Sequence, residues 1–175
     1  EIIREKGTNR SRFFRGQVDK YSWVDYGSSY LPSDILAAFL YSQIEASEHI
    51  QKKREVIWDR YYKELFEWAD KNGVDLPHIP DYCKQSFHMF YMIMPSLKER
   101  QSLIKYLNDK GISSAFHYLP LHLSSMGKKL SNSKLSLPNT EYISDRIIRL
   151  PFYVDLSEKE QIKVINSIKN FRIGV

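Results

Sequence analysis

Between Ser33 and Asn72 the sequence repeats at the period of an α-helix. Apolar residues fall at Leu36, Phe39, Leu40, Ile44, Ile50, Ile57, Tyr61, Leu65 and Trp68, and the pattern stops at Asn72-Gly73. Ser33 suits the N-cap and Asp34 the positive first turn. One continuous helix of this length runs about 55 Å at 1.5 Å per residue, longer than a small domain is wide. The helix either runs unbroken or breaks near residues 45–49, and in both cases it is expected to link two bodies. The pair Ala37-Ala38 lets another backbone approach its first half.

The flanking sequence differs on the two sides. Residues 1–7, EIIREKG, read as the last turns of a helix stopped at Gly7. With no cap and no Met before it, that helix is expected to be cut from a longer chain. After the Pro-marked connector Leu76-Pro77-His78-Ile79-Pro80, short elements alternate. Strands are expected at 87–94, 114–119 and 148–150. Ser96 to Glu99 and Ser157 to Glu160 are capping boxes, the first opening a helix that ends at Lys110-Gly111. A short helix is expected at 140–147, and a final one carries Ile162, Ile165 and Ile168 on one side. Residues 120–138 read as a polar loop. The fold class is α+β: a long connecting helix, then a small sheet of three to four strands with helices packed on one face.

Charge and composition narrow the partners. Lys and Arg number 26 against 21 Asp and Glu, a net charge of +5, with the signs interleaved through most of the chain. The clearest basic excess is Arg4, Lys6, Arg10, Arg12 and Arg15 against Glu5 alone. That favours a phosphate-bearing partner over a nucleic-acid footprint. The single Cys83 forms no internal disulfide and suits a reducing cytoplasm. No apolar run approaches the ~20 residues that span a bilayer, so no membrane partner is expected, and the mild, interleaved charge argues against nucleic acid. P-loop, G-x-G-x-x-G and G-x-S-x-G motifs are all missing. His117 and His122 have a zinc-like spacing, but Pro120 lies between them and no second Cys exists, so no metal site is expected. By motif logic alone the chain carries no self-contained catalytic site.

The run EIIREKGTNRSRFFRGQVDKYSWVDYGSSYLPSDILAAFLYSQIEA, with FHYLPLH and RLPFY later, resembles the DegT/DnrJ/EryC1/StrS sugar aminotransferases. Within that family the first stretch is most similar to members that aminate TDP-4-oxo-6-deoxy-D-glucose at C4. The resemblance implies fold type I, pyridoxal 5'-phosphate as cofactor, a homodimer, and transfer of an amino group from L-glutamate to the C4 ketone of a TDP-4-oxo-6-deoxyhexose for lipopolysaccharide biosynthesis. It also implies a division into residues 1–32, a remnant of the large cofactor domain with a dimer loop; 33–75, the connecting helix; and 76–175, the small domain. The family's cofactor-bearing lysine is expected on chain preceding Glu1, so no residue is assigned as catalytic and the 175 residues alone are expected to be inactive.

The same resemblance marks site residues. In the family a Gly-x-Asn-Tyr-Arg loop reaches across the dimer to the partner's cofactor phosphate. The matching positions are Gly27, Ser28, Ser29, Tyr30 and Leu31, with Ser29 in place of Asn and Leu31 in place of Arg. Ser29 is thereby the cofactor-phosphate ligand in trans; the plain alternative is a turn before the Ser33 cap. Arg10, Arg12 and Arg15 face the diphosphate of a nucleotide-sugar or form a solvated or dimer-interface charged loop. Tyr118 and His122 touch the sugar at the mouth of the site or serve only structure. For the chain as a whole, a non-catalytic dimerisation or substrate-lid module stands as the alternative function.

Overall fold

The computed structural model describes residues 1–131 and 135–174. They divide into two compact units, Glu1–Ser47 and Glu48–Val175.

In the first unit the expected helix at 1–7 is replaced by tight turns. The Glu5 N–H donates to the Glu1 and Ile2 carbonyls, and the Gly7 N–H to Ile2 at 2.9 Å. Lys6 and Gly7 both lie in the left-handed region, at φ 64° and 74°, which a right-handed helix cannot contain. The stop at Gly7 is real; what it stops is a turn too short to nucleate a helix. Isolated antiparallel bridges join Glu5 to Ser29 and Thr8 to Trp23. Helix α1 is the short Arg10–Phe14. Helix α2, Asp34–Glu45, opens where expected: the Ser33 Oγ accepts from the Leu36 N–H.

The long helical pattern breaks at Ala46, and helix α3 runs over Ser47–Asn72. Of the unbroken and broken forms expected for this stretch, the break near 45–49 is the one observed. No residue of α2 is buried, and Ile35, Leu36, Phe39, Leu40, Tyr41 and Ile44 are all exposed.

The second unit holds the hydrophobic core. Helix α3 buries one stripe, Ile57, Trp58, Tyr61, Leu65 and Ala69, at the spacing of a single helix face. This stripe shares a cluster with Phe90, Met92 and Met94, with Leu103 and Leu107, and with Ile148, Val164, Ile165 and Ile168. Strands β1 (Tyr91–Ile93) and β2 (Ile147–Arg149) pair antiparallel, with Met92 opposite Ile148. The sheet has these two strands, fewer than the three to four expected, and isolated single bridges, Asp75 to Ile93 and Ala115 to Arg149, lie beside them. The expected strand at 87–94 shortens because Phe87 sits at φ 46° and Pro95 follows. The one expected at 114–119 contracts to its bridge at Ala115.

Helix α4, Leu97–Asp109, starts with the Ser96 Oγ accepting from the Glu99 N–H. The expected polar loop at 120–138 contains a 3₁₀ turn, Leu121–Leu123, and helix α5, Ser125–Leu130. Neither buries a residue, so neither carries an apolar period to read. Residues 132–134 of that stretch lie outside the described residues. Helix α6, Pro138–Arg146, takes its Pro at the first turn, where the missing N–H costs nothing. Helix α7, Glu158–Lys169, has the full reciprocal capping box of Ser157 and Glu160. Its buried face is Gln161, Val164, Ile165, Ser167 and Ile168; Ile162, expected on that side, is exposed. Among the described residues, no helix is long and apolar enough to cross a membrane.

Candidate functional site

In the first unit the chain closes around a cavity of about 610 Å³. Two backbone strands approach closely to form it. Gly27 lies against Gly7 and the Ile3 carbonyl so tightly that a Cβ there would overlap both. The Ser28 N–H donates to the Ile3 carbonyl at 2.9 Å, and the Tyr30 N–H to Arg4 at 3.2 Å. This contact sets Ser29 beside Glu5.

Arg4, Lys6 and Arg10 bring positive charge to the wall, with Thr8, Phe14, Tyr21, Ser29 and Leu31. The carboxylate of the same wall, Glu5, is turned to its own chain: it accepts from the Ser11 hydroxyl at 2.6 and 2.7 Å. Arg15 is likewise engaged elsewhere. It donates to both Glu1 oxygens, at 2.6 and 2.7 Å, and this paired guanidinium draws the Glu1 carboxyl down to about 2. Among the described residues, no carboxylate oxygen lies within ion-pair distance of Arg4, Lys6 or Arg10. The Ser29 hydroxyl has no hydrogen-bond partner among them either. The wall therefore offers cations and a free hydroxyl to an anion.

Ser29 and Arg10, both singled out in the sequence, line this one cavity; Arg12 is not among the residues lining it. Tyr21 was not singled out; Arg4 and Lys6 were marked only as part of the basic excess and were given no individual role. Their signal was present as Arg4-x-Lys6-x-Thr8-x-Arg10, a period of two. Reading residues 1–7 as helix hid it.

Tyr118 and His122 lie in the second unit, on the segment that leaves Ala115. Arg149 fixes that segment twice. Its backbone exchanges hydrogen bonds with Ala115 at 2.7 and 3.2 Å, and its Nη1 donates to His117 Nδ1 at 2.9 Å. Guanidinium only donates, so His117 accepts at Nδ1 and its proton sits on Nε2. The Ser144 hydroxyl donates to the Tyr118 carbonyl at 2.8 Å, leaving the Tyr118 side chain exposed. His122 Nε2 donates to the Glu141 carboxylate at 2.9 Å, and the Leu137 N–H donates to the same oxygen at 3.0 Å. The His122 bond, then the Leu137 one, hold the Glu141 carboxyl below the usual glutamate range. No group of three or more His, Cys, Asp or Glu among the described residues is placed to hold a metal ion.

A family model described as the DegT/DnrJ/EryC1/StrS aminotransferase family matches residues 1–169. The chain belongs to that family. The uncharacterized protein MJ1066 of Methanocaldococcus jannaschii is 29% identical over 97% of this chain and 45% of its own length. A DegT DnrJ EryC1 StrS aminotransferase from Brucella abortus is similar in structure, with a TM-score of 0.74 and 30% identity over 91% of this chain and 41% of that one. Spr1654 from Streptococcus pneumoniae, in its PLP-form, shares the fold with a TM-score of 0.76 and 24% identity, covering 96% of this chain and 41% of that one. The chain thus spans less than half the length of these relatives.

Aminotransferases of this family depend on pyridoxal phosphate. The residues present fit its phosphate end: a free hydroxyl at Ser29 flanked across the bridge by Arg4 and Lys6, in a cavity with room for an anion. Hydroxyl and cationic donors are the groups that recognise a phosphate.

Proposed function

We propose that this chain is the C-terminal part of a pyridoxal-phosphate-dependent nucleotide-sugar aminotransferase. It moves an amino group from L-glutamate to the C4 ketone of a TDP-4-oxo-6-deoxyhexose, in the cytoplasm, for lipopolysaccharide biosynthesis. Residues 1–32 belong to the large cofactor domain, 33–75 connect, and 76–175 form the small domain. The working unit is a homodimer. The observation that carries the reading is the free Ser29 hydroxyl in a cationic cavity, on a chain of a sugar aminotransferase family.

Pyridoxal phosphate supplies the carbonyl that carries the amino group between donor and acceptor, and the electron sink for the accompanying proton transfers. This chain's residues bind and orient. Ser29 donates its hydroxyl hydrogen to the cofactor phosphate of the partner subunit. Arg4 and Lys6 balance that phosphate's charge. Arg10 and Arg12 meet the sugar diphosphate, for which the planar guanidinium is suited. Tyr118 presents its hydroxyl to the sugar. His122, whose Nε2 is held by Glu141, offers Nδ1 as its remaining hydrogen-bonding atom. No lysine of this chain is assigned to the cofactor, so the 175 residues alone do not transaminate.

Ser29→Ala in the full-length gene product tests the cavity's role. It should weaken pyridoxal-phosphate binding by about 1.5–3 kcal/mol, the worth of a hydrogen bond to a charged group. The measurement is an absorbance titration of the apoenzyme. Unchanged affinity removes Ser29 from the site. Incubating the wild-type enzyme with TDP-4-oxo-6-deoxyglucose and L-glutamate checks the substrate; absence of a 4-amino product by mass spectrometry overturns that assignment.

A further inference from the structure

The segment 115–118 is tied down from three elements of the second unit. On β2, the Arg149 backbone exchanges hydrogen bonds with Ala115 at 2.7 and 3.2 Å. On α4, Arg100 is buried, 7% exposed, with its Cζ 4.8 Å from the centre of the Phe116 ring. On α6, the Ser144 hydroxyl donates to the Tyr118 carbonyl at 2.8 Å. The Tyr118 hydroxyl itself has no hydrogen-bond partner among the described residues. Its ring lies against His117: the two ring centroids are 4.4 Å apart, with the planes tilted by 41°.

His117 is held in turn by Arg149, whose Nη1 donates to its Nδ1 at 2.9 Å. Arginine ordinarily gives its planar donor edge to a carboxylate or a phosphate. Among the described residues, no carboxylate oxygen lies within ion-pair distance of Arg149, and its guanidinium goes to a neutral imidazole instead. That bond fixes the rotation of the ring as well as its tautomer, because only one ring nitrogen can accept. The contacts therefore run in series, from Arg149 to the His117 ring and from that ring to Tyr118. A side chain that meets a ligand works best when its own rotamer is locked by neighbours that do not.

We propose that Arg149 is a positioning residue: acting through His117, it sets the orientation of the Tyr118 ring and with it the place of the Tyr118 hydroxyl. This rests on the reading above, in which that hydroxyl meets the sugar. It adds to that reading two residues, Arg149 and His117, whose work is done on Tyr118 and not on the sugar or the cofactor.

Two measurements on the full-length gene product test this, and the first does not depend on turnover. With the histidine and tyrosine rings isotopically labelled, NMR of the wild type should show His117 protonated at Nε2 and a nuclear Overhauser contact between the His117 and Tyr118 rings. Arg149→Met keeps the aliphatic stem and the backbone bonds to Ala115 but has no donor, and it should lose the ring contact. Arg149→Lys keeps a donor and should retain it. The second measurement is steady-state amination. Arg149→Met should lower kcat/KM for TDP-4-oxo-6-deoxyglucose by about tenfold, the worth of one hydrogen bond, with kcat/KM for L-glutamate as in the wild type. Arg149→Lys should recover most of that loss. Tyr118→Phe should cost about the same tenfold, and adding Arg149→Met to it should cost nothing further, since both changes remove one contact. Additive losses, or an Arg149→Met protein that keeps the ring contact, overturn the inference. The two readings fail separately. Amination by an enzyme whose Arg149→Met form keeps the ring contact sinks the positioning role alone. Loss of that contact in Arg149→Met, in a protein that does not aminate, sinks the aminotransferase reading alone.

Discussion

Tyr61 shows how one side chain joins a helix to a loop 90 residues away. Its ring is fully buried on the inner stripe of α3, and its hydroxyl donates to the Pro151 carbonyl at 3.0 Å. Burial pushes its ionisation well above the ordinary tyrosine value. The folded protein therefore keeps the proton where the unfolded chain, titrating near pH 10, releases it. A group raised in this way stabilises fully at lower pH, and that stabilisation drains as pH rises past about 10. Tyr61→Phe should cost about 1 kcal/mol at pH 7, by leaving the carbonyl without its donor, and should flatten the loss of stability above pH 10. Urea denaturation of both proteins from pH 7 to 11 measures this; parallel alkaline limbs would show that Tyr61 does not set the slope. Gln161 is bound in the same manner, donating to the Ile57 carbonyl at 2.6 Å and accepting from Arg60 at 2.7 Å. A buried amide in α7 is not visible in an apolar period, so the sequence pattern placed Ile162 on the inner face instead.

At the scale of elements, the segment that carries His122 depends on one small residue. Gly127 opens α5 under the 3₁₀ turn, and a Cβ there would overlap the Leu121 carbonyl oxygen. Gly127→Ala should force the turn and α5 apart at a cost of about 1–3 kcal/mol. Amide exchange at Leu123 and Lys128 should speed by at least about tenfold, with that of the α7 core unchanged. Unaltered exchange at both amides would show that the turn absorbs the methyl group without opening. The elements that were legible in the sequence are those whose signals are local. Ser33, Ser96 and Ser157 each cap the helix expected of them, because a cap needs only neighbours in sequence. The expected strands at 87–94 and 114–119 were drawn too long, while the one at 148–150 is displaced by a single residue, since strand ends are set by partners far away in sequence. Helix α5 was missed because nothing on it is buried. The cavity was half legible: Ser29 was reached through a family pattern and Arg4, Lys6 and Arg10 through the local basic excess, whereas their convergence around one cavity depends on a bridge between residues 5 and 29 that no local rule predicts.

For the whole molecule, the distribution of apolar surface matters most. Every buried hydrophobic residue among those described lies in Glu48–Val175. The first unit is too short to bury a core of its own and leaves six large apolar residues of α2 in water. A helix of this length is marginal without an apolar face to pack, since isolated helices under about 12–15 residues rarely hold in water. The two units of the 175-residue chain should consequently differ in stability. Hydrogen exchange of the isolated chain should find the amides of α2 at least about a thousandfold less protected than those of Ile165 and Ile168, a gap that corresponds to the several kcal/mol of an ordinary domain core. In the full-length gene product that gap should narrow, as the apolar face of α2 finds the surface it lacks. Equal protection of both units in the isolated chain would mean that α2 is held by contacts within residues 1–47, and that its exposed face is not an interface at all.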